Sequence, residues 1–114
     1  MRAGRLRHRV ALQTPVDAQN ARGEVERTYP VVAVVHASVE PLSGRELLEA
    51  QQIESRVTCR VRLRYTAGLT SHSRVLLLGP EGDPDHPTRT LNVLSVIDRE
   101  QRHIELELLC EDVT

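Results

Sequence analysis

The sequence contains no lysine, tryptophan or phenylalanine, and only two tyrosines, two cysteines and one methionine in 114 residues. Without lysine every strong base is arginine, so no phosphate-cradling P-loop with its lysine is present. Without phenylalanine and tryptophan the core must be built from Val, Leu, Ile and Ala. Such a core lacks the large burial that aromatic rings contribute, and part of the stability is expected from subunit contacts. The same scarcity removes the stacking platform on which single-strand binders lay their bases. Cys59 and Cys110 sit on apolar faces of expected strands and read as two buried free thiols in a reducing compartment. No window approaches the ~20 apolar residues of a membrane span. The start "MRAGRLRHRV" has charge but no apolar run after it, so no signal peptide is expected. The expectation is a soluble protein made in a cytoplasm.

A net charge of −1 excludes a molecule that attracts nucleic acid over its whole surface. The charge is nevertheless uneven. Arg2, Arg5, Arg7 and Arg9 open the chain without an acid, and Arg56, Arg60, Arg62, Arg64 and Arg74 follow later, also without one. From Asp98 onward acids dominate: Glu100, Glu105, Glu107, Glu111 and Asp112. Arginine suits bidentate carboxylate or phosphate contacts at interfaces. A biased base composition of the coding DNA gives the same excess.

The length suits one compact domain over 1–114, burying near two-thirds of its unfolded surface, by interpolation from about 60% at 60 residues. "LRHRVALQ" alternates apolar and polar residues, as a half-buried strand does. "TPVDAQNARGE" carries Pro15, Asp17, Asn20 and Gly23 and reads as a loop. A β-branched run follows from Val25 to Pro41, where Pro30 marks an edge, bulge or bend. Beyond it, the nearly continuous apolar character predicts a strand covered on both faces for part of its length.

"PLSGRELLEAQQIES" predicts a helix over 44–53, with Ser43 as N-cap and Glu46 closing a capping box. Its apolar stripe is thin, Leu47 with Ala50 and then Ile53, so it must dock on the barrel or on a neighbouring chain. In "RVTCRVRLRY" Arg56, Thr58, Arg60, Arg62 and Arg64 share one strand face, and Val57, Cys59, Val61, Leu63 and Tyr65 the other. "TAGLTSHS" is a turn and "RVLLLG" a strand, while "PEGDPDHP" is a long exposed acidic loop. "TRTLNVLSVID" is a strand, and the last strand sets Ile104, Leu106, Leu108 and Cys110 against Glu105, Glu107, Leu109 and Glu111. Six short strands and one helix, without an internal repeat, predict a mainly β fold: a small antiparallel β-barrel with one short α-helix and long loops.

His8, His36, His72, His86 and His103 are scattered without metal-ligand spacing, and neither a nucleophile elbow nor a paired-carboxylate motif is present. No cofactor, metal or catalytic residue is expected, and no enzyme. For the arginine stripe two readings stand. If the strand of Arg60, Arg62 and Arg64 neighbours that of Glu105 and Glu107, the charges can pair across the ladder at ~0.2–1 kcal/mol each. Set on different chains, the same two faces would make a heterologous, ring-forming contact.

Four blocks in register carry a resemblance: "MRAGRLRHRVALQTPV", "VVAVVHASVEPLSGRELLEAQ", "TCRVRLRYTAGLTSHSRVL" and "IELELLCED". Together they resemble the phage head–tail joining family, the head-closure, stopper or head completion proteins of tailed-phage necks. Relatives also occur in gene transfer agents. The resemblance implies a small β-barrel with a helix or loop excursion, working in a homo-oligomeric ring. Such a ring sits between portal and adaptor proteins above and tail terminator or tail tube proteins below, closes the DNA exit channel and meets packaged double-stranded DNA non-specifically. It places the protein in the neck of a virion or phage-like particle, assembled in the bacterial host cytoplasm, with no membrane partner. Where relatives show an aromatic, this chain has Tyr29 and His36, and its acidic 80–87 loop is longer than theirs.

On that footing the 41–55 excursion, with Ser43, Gly44, Arg45 and Glu46, is the expected channel gate. Arg60, Arg62, Arg64, Glu105 and Glu107 are the expected subunit-interface charges. Arg2, Arg5 and Arg7 are expected to touch the adaptor or DNA phosphates. The rival from another class is a small nucleic-acid-binding β-barrel of the host, marked by tight, salt-sensitive binding as a monomer.

Overall fold

Strands that alternate apolar and polar residues must bury one face, and six of them can do so by closing on themselves. That is the arrangement in the computed structural model, which describes residues 8–79, 82–83, 86–98 and 104–113. The elements in chain order are β1 (His8–Gln13), β2 (Val16–Gln19), β3 (Val25–Thr28), β4 (Val31–Pro41), α1 (Gly44–Ile53), β5 (Cys59–Arg64), β6 (Arg74–Leu77), β7 (Arg89–Asp98) and β8 (Glu105–Asp112). Six strands close a barrel in the order β1-β4-β5-β8-β7-β6, every neighbouring pair antiparallel.

The barrel is filled by aliphatic side chains, among them Val10, Leu12, Val61, Leu63, Val75, Leu91 and Leu108, all fully buried. Cys59 stands opposite Cys110 within this core, and its thiol donates to the Cys110 carbonyl at 3.6 Å. Both cysteines are free, and the adjacent Cys59 thiol together with burial pushes the Cys110 thiol up.

Two bulges re-aim side chains. In β4 the register passes from Leu12↔Ala33 to Gln13↔Val31, so Val32 is the extra residue. In β7 it passes from Val93↔Cys110 to Ser95↔Leu109, and Leu94 is the extra residue. Leu94 joins Leu42, Val57 and Leu109 in a second, smaller apolar cluster, on which Leu47 and Ala50 of α1 pack. Leu109 alternates away from the core residues Leu108 and Cys110, so the helix lies against the outer side of β8. No residue of α1 is fully buried.

Several expectations are corrected. The loop read from Thr14 to Glu24 contains β2, which pairs with β3 as an exposed two-stranded ribbon. Its tip does obey turn chemistry: the Asn20 Oδ1 accepts the N–H groups of Arg22 and Glu24, and Gly23 takes φ 80°. Ile53 is 81% exposed, because six residues of helix carry it about 120° round from Leu47. Tyr65 and Ile104 are exposed as well, since β5 ends at Arg64 and β8 begins at Glu105. Beyond Pro30, Ala33, Val35 and Val39 pack on the core, but Val32 and Val34 remain exposed and no described residue covers them. Glu107, on the polar face of the last strand, is buried within the chain.

Candidate functional site

The arginine stripe of β5 faces outward between β4 and β8. Register places Arg60 opposite Glu40 and Leu109, Arg62 opposite Ser38 and Glu107, and Arg64 opposite Glu105. The two acid-bearing strands therefore flank the arginines within one chain. Arg60 is the centre of the group: its guanidinium lies 3.1 Å from Glu40, 3.6 Å from Glu46 on α1 and 3.6 Å from Glu107.

Burial sets the strength of these contacts. The Arg60 side chain is 15% exposed and that of Glu107 only 8%. Burial works against the charge on Arg60, but the Glu40 hydrogen bond and the three carboxylates outweigh it and raise its affinity for the proton. The Arg60 hydrogen bond holds the Glu40 carboxyl below the usual range against desolvation, with help from the Ser38 hydroxyl and the Arg62 charge. The Nε atoms of Arg60 and Arg62 are buried without a hydrogen-bond acceptor, which is costly and marks the group as constrained by its surroundings. Arg64 is exposed, and among the described residues it forms no ion pair with its register partner Glu105.

The 41–55 excursion joins the same group. Ser43 is the N-cap of α1, but its hydroxyl makes no capping bond, so the expected capping box is not formed. The physical reason lies at Gly44, whose φ of 57° departs from helical geometry at the first position, and in Glu46, which turns to Arg60. Arg45 is exposed. Arg60 and Glu46 thereby tether the start of the helix to the barrel wall, while Leu47 and Ala50 hold its middle.

Arg2, Arg5 and Arg7 lie outside the described residues. Arg9, the next base, is exposed on β1, and its guanidinium approaches Gly82 in the acidic loop. Among the described residues of that loop, His86 Nδ1 lies 2.7 Å from an Asp83 carboxylate oxygen.

Sequence reasoning missed two surfaces. One is the β2–β3 ribbon, extending the β1–β4 hairpin away from the barrel past Pro15 and Pro30, with every residue exposed. A two-stranded ribbon exposed throughout has little to hold it in water. Here the Asn20 turn and an Arg27–Asp17 ion pair at 2.9 Å do so. The hydrogen bond from Arg27 draws the Asp17 carboxyl below its usual range. The other surface is the pair Val32 and Val34 on the outer wall of β4, 50% and 44% exposed. The nearly continuous apolar run Val31–Val35, four valines around Ala33, was its signal.

The family model for the phage head completion protein matches residues 1–113. Head completion protein gp7 of Enterobacteria phage HK97 is 29% identical over 112 residues, covering 97% of this chain and 96% of its own. The solution structure of protein SF1141 from Shigella flexneri 2a superposes with a TM-score of 0.70 at 27% identity, over 100% of this chain and 98% of that one.

Proposed function

The chain belongs to the phage head completion protein family and is a virion component with a head-completion role, and we propose that it fills that role as a structural ring. The ring joins the portal and adaptor side of a tailed phage or phage-like particle to its tail and closes the DNA exit channel. It does so without catalysis.

The observation that carries this reading is the exposed ribbon beside the uncovered Val32 and Val34. A closed barrel has no free strand edge to pair with a neighbour. Contact between copies must therefore use side-chain surfaces and projections. An arm that reaches beyond its own barrel, beside an apolar strip, supports a heterologous contact, the kind that closes into a ring. Arg64 and Glu105, unpaired with each other at the end of the β5–β8 ladder, supply charges for the same contact. Arg60 and Glu107 hold the wall in place from within the chain.

In this reading the 41–55 excursion narrows the lumen. Its support is the light docking of α1: among the described residues, two half-buried side chains, one ion pair and the Gln51 hydrogen bond to the Val57 carbonyl are few contacts to exchange on assembly. The basic start of the chain, including Arg2, Arg5 and Arg7, meets the adaptor or the DNA.

The test is to add the purified chain to DNA-filled heads that lack it, then follow ring formation by electron microscopy and DNA leakage by nuclease sensitivity. Rings at the portal with retained DNA are expected. Tight, salt-sensitive duplex binding by the monomer, with no ring on the heads, would favour a nucleic-acid-binding barrel instead.

A further inference from the structure

At the root of the β2–β3 arm, away from the Arg60 group, is a cavity of about 190 Å³. Its lining includes Tyr29, Arg56, Ser71, His72, Arg74 and Asn92. Arg74 is the first residue of β6, and its guanidinium carbon lies 3.6 Å from the centroid of the Tyr29 ring. A guanidinium laid flat on a ring keeps its N–H groups in its own plane, where they can take an oxyanion two at a time.

The base of the cavity is rigid. The fully buried Ser73 accepts the Thr70 N–H at 2.9 Å, shares a hydrogen bond with the Thr14 hydroxyl at 3.3 Å, and accepts the Val93 N–H at its carbonyl. Arg74 therefore starts from a fixed point of backbone. No described carboxylate lies within ion-pair distance of it. The other arginine of the lining, Arg56, is engaged by Glu54 and Glu111, at 3.3 Å and 3.7 Å. His72, at the rim, keeps its ring free of hydrogen bonds among the described residues, its backbone being tied to Thr70.

We propose that this cavity binds a carboxylate side chain presented by a partner protein, with Arg74 as the two-pronged anchor. Charge complementarity selects a protein acid over DNA. A duplex presents a row of phosphates and needs a row of cations. This site offers one arginine without a carboxylate partner in a recess, because the other lining arginine, Arg56, is already paired with Glu54 and Glu111. A single carboxylate meets no such row. Because Tyr29 stands between β3 and β4, occupation of the cavity also steadies the arm at its base. The inference is independent of ring formation and of channel closure.

The test follows the Arg74 side-chain Nε–H signal of the intact chain by NMR. The probes are a blocked peptide with three glutamates, its glutamine counterpart and a short duplex DNA. A saturable shift with the acidic peptide is expected, with binding at least about tenfold weaker for the other two. R74Q should abolish the shift with the core methyl spectrum unchanged, and R74K should weaken binding about tenfold, since an ammonium lacks the fork. Should R74Q disturb the fold, Y29L serves as the second variant, losing affinity because the guanidinium is no longer held flat. The proposal is overturned by the absence of a saturable shift, by equal binding in R74Q, or by tighter binding of duplex than of peptide.

Discussion

Arg60 Nη1 lies 3.6 Å from a carboxylate oxygen of Glu107, although the residue facing Glu107 across the β5–β8 ladder is Arg62. The contact is diagonal, and it leaves the same guanidinium within reach of Glu40 and Glu46. One side chain thus joins β4, β5, β8 and the start of α1.

Replacing Arg60 by methionine should therefore cost more than loss of a surface ion pair. Glu107 would remain buried without this cation, and the expected loss is about 2 kcal/mol, below the full 3–5 kcal/mol of a wholly buried pair. Urea unfolding at neutral pH reads it. A change under ~0.5 kcal/mol would mean that other groups carry Glu107.

The Arg60 effect should depend on pH in a set direction. The Glu40 carboxyl titrates below its usual value in the folded chain, first because Arg60 donates to it. A depressed carboxyl stabilises fully above its unfolded value of about 4.3, and that stability disappears as pH falls through the folded value. The gap in unfolding midpoint between the wild type and R60M should be complete at pH 7 and narrow below about pH 4. A gap that widens in acid would reverse the assignment.

At the start of α1 the usual helix rules should invert. Ser43→Ala, which ordinarily costs about 1 kcal/mol at an N-cap, should be nearly neutral because the hydroxyl makes no capping bond. Gly44→Ala, ordinarily stabilising inside a helix, should cost about 1 kcal/mol because φ is 57° there. Thermal unfolding of both variants checks the pair of signs.

Leu109→Ala should destabilise by about 2–3 kcal/mol and speed hydrogen exchange in α1, because Leu109 is the floor on which Leu47 and Ala50 rest. Leu48→Ala, on the side chain that is 66% exposed, should leave the isolated chain unchanged. Equal effects would show that the helix docks by another face.

Val34→Glu should shift the stability of the monomer by less than about 1 kcal/mol, the whole span of strand propensity. It should also abolish assembly on heads, by placing a charge in the apolar strip of β4. Normal tail joining by this variant would remove Val32 and Val34 from the subunit contact.

Much of the fold was legible in the residues. All six barrel strands and the helix over 44–53 were readable, because period-two alternation and a cluster of helix formers are local signals. The four blocks in register likewise pointed to the family that the match over residues 1–113 shows. The β2–β3 ribbon was not legible, since a strand exposed on both faces has no apolar period. Ile53, Tyr65 and Ile104 misled because apolar character tells nothing of where an element ends or how far a helix has turned.

The amino-acid sequence by itself determined the inward face of each barrel strand, the thin stripe of the helix and an aliphatic core without rings. Each follows from covalent geometry that repeats every two or 3.6 residues. Only the tertiary structure decided that β5 lies between β4 and β8, that Arg60 gathers three carboxylates, and that Arg74 rests on Tyr29 beside a cavity. Those neighbours are distant along the chain. Barrel closure chose them by fixing strand order and register together, since each strand must pair its backbone groups with a neighbour on both sides.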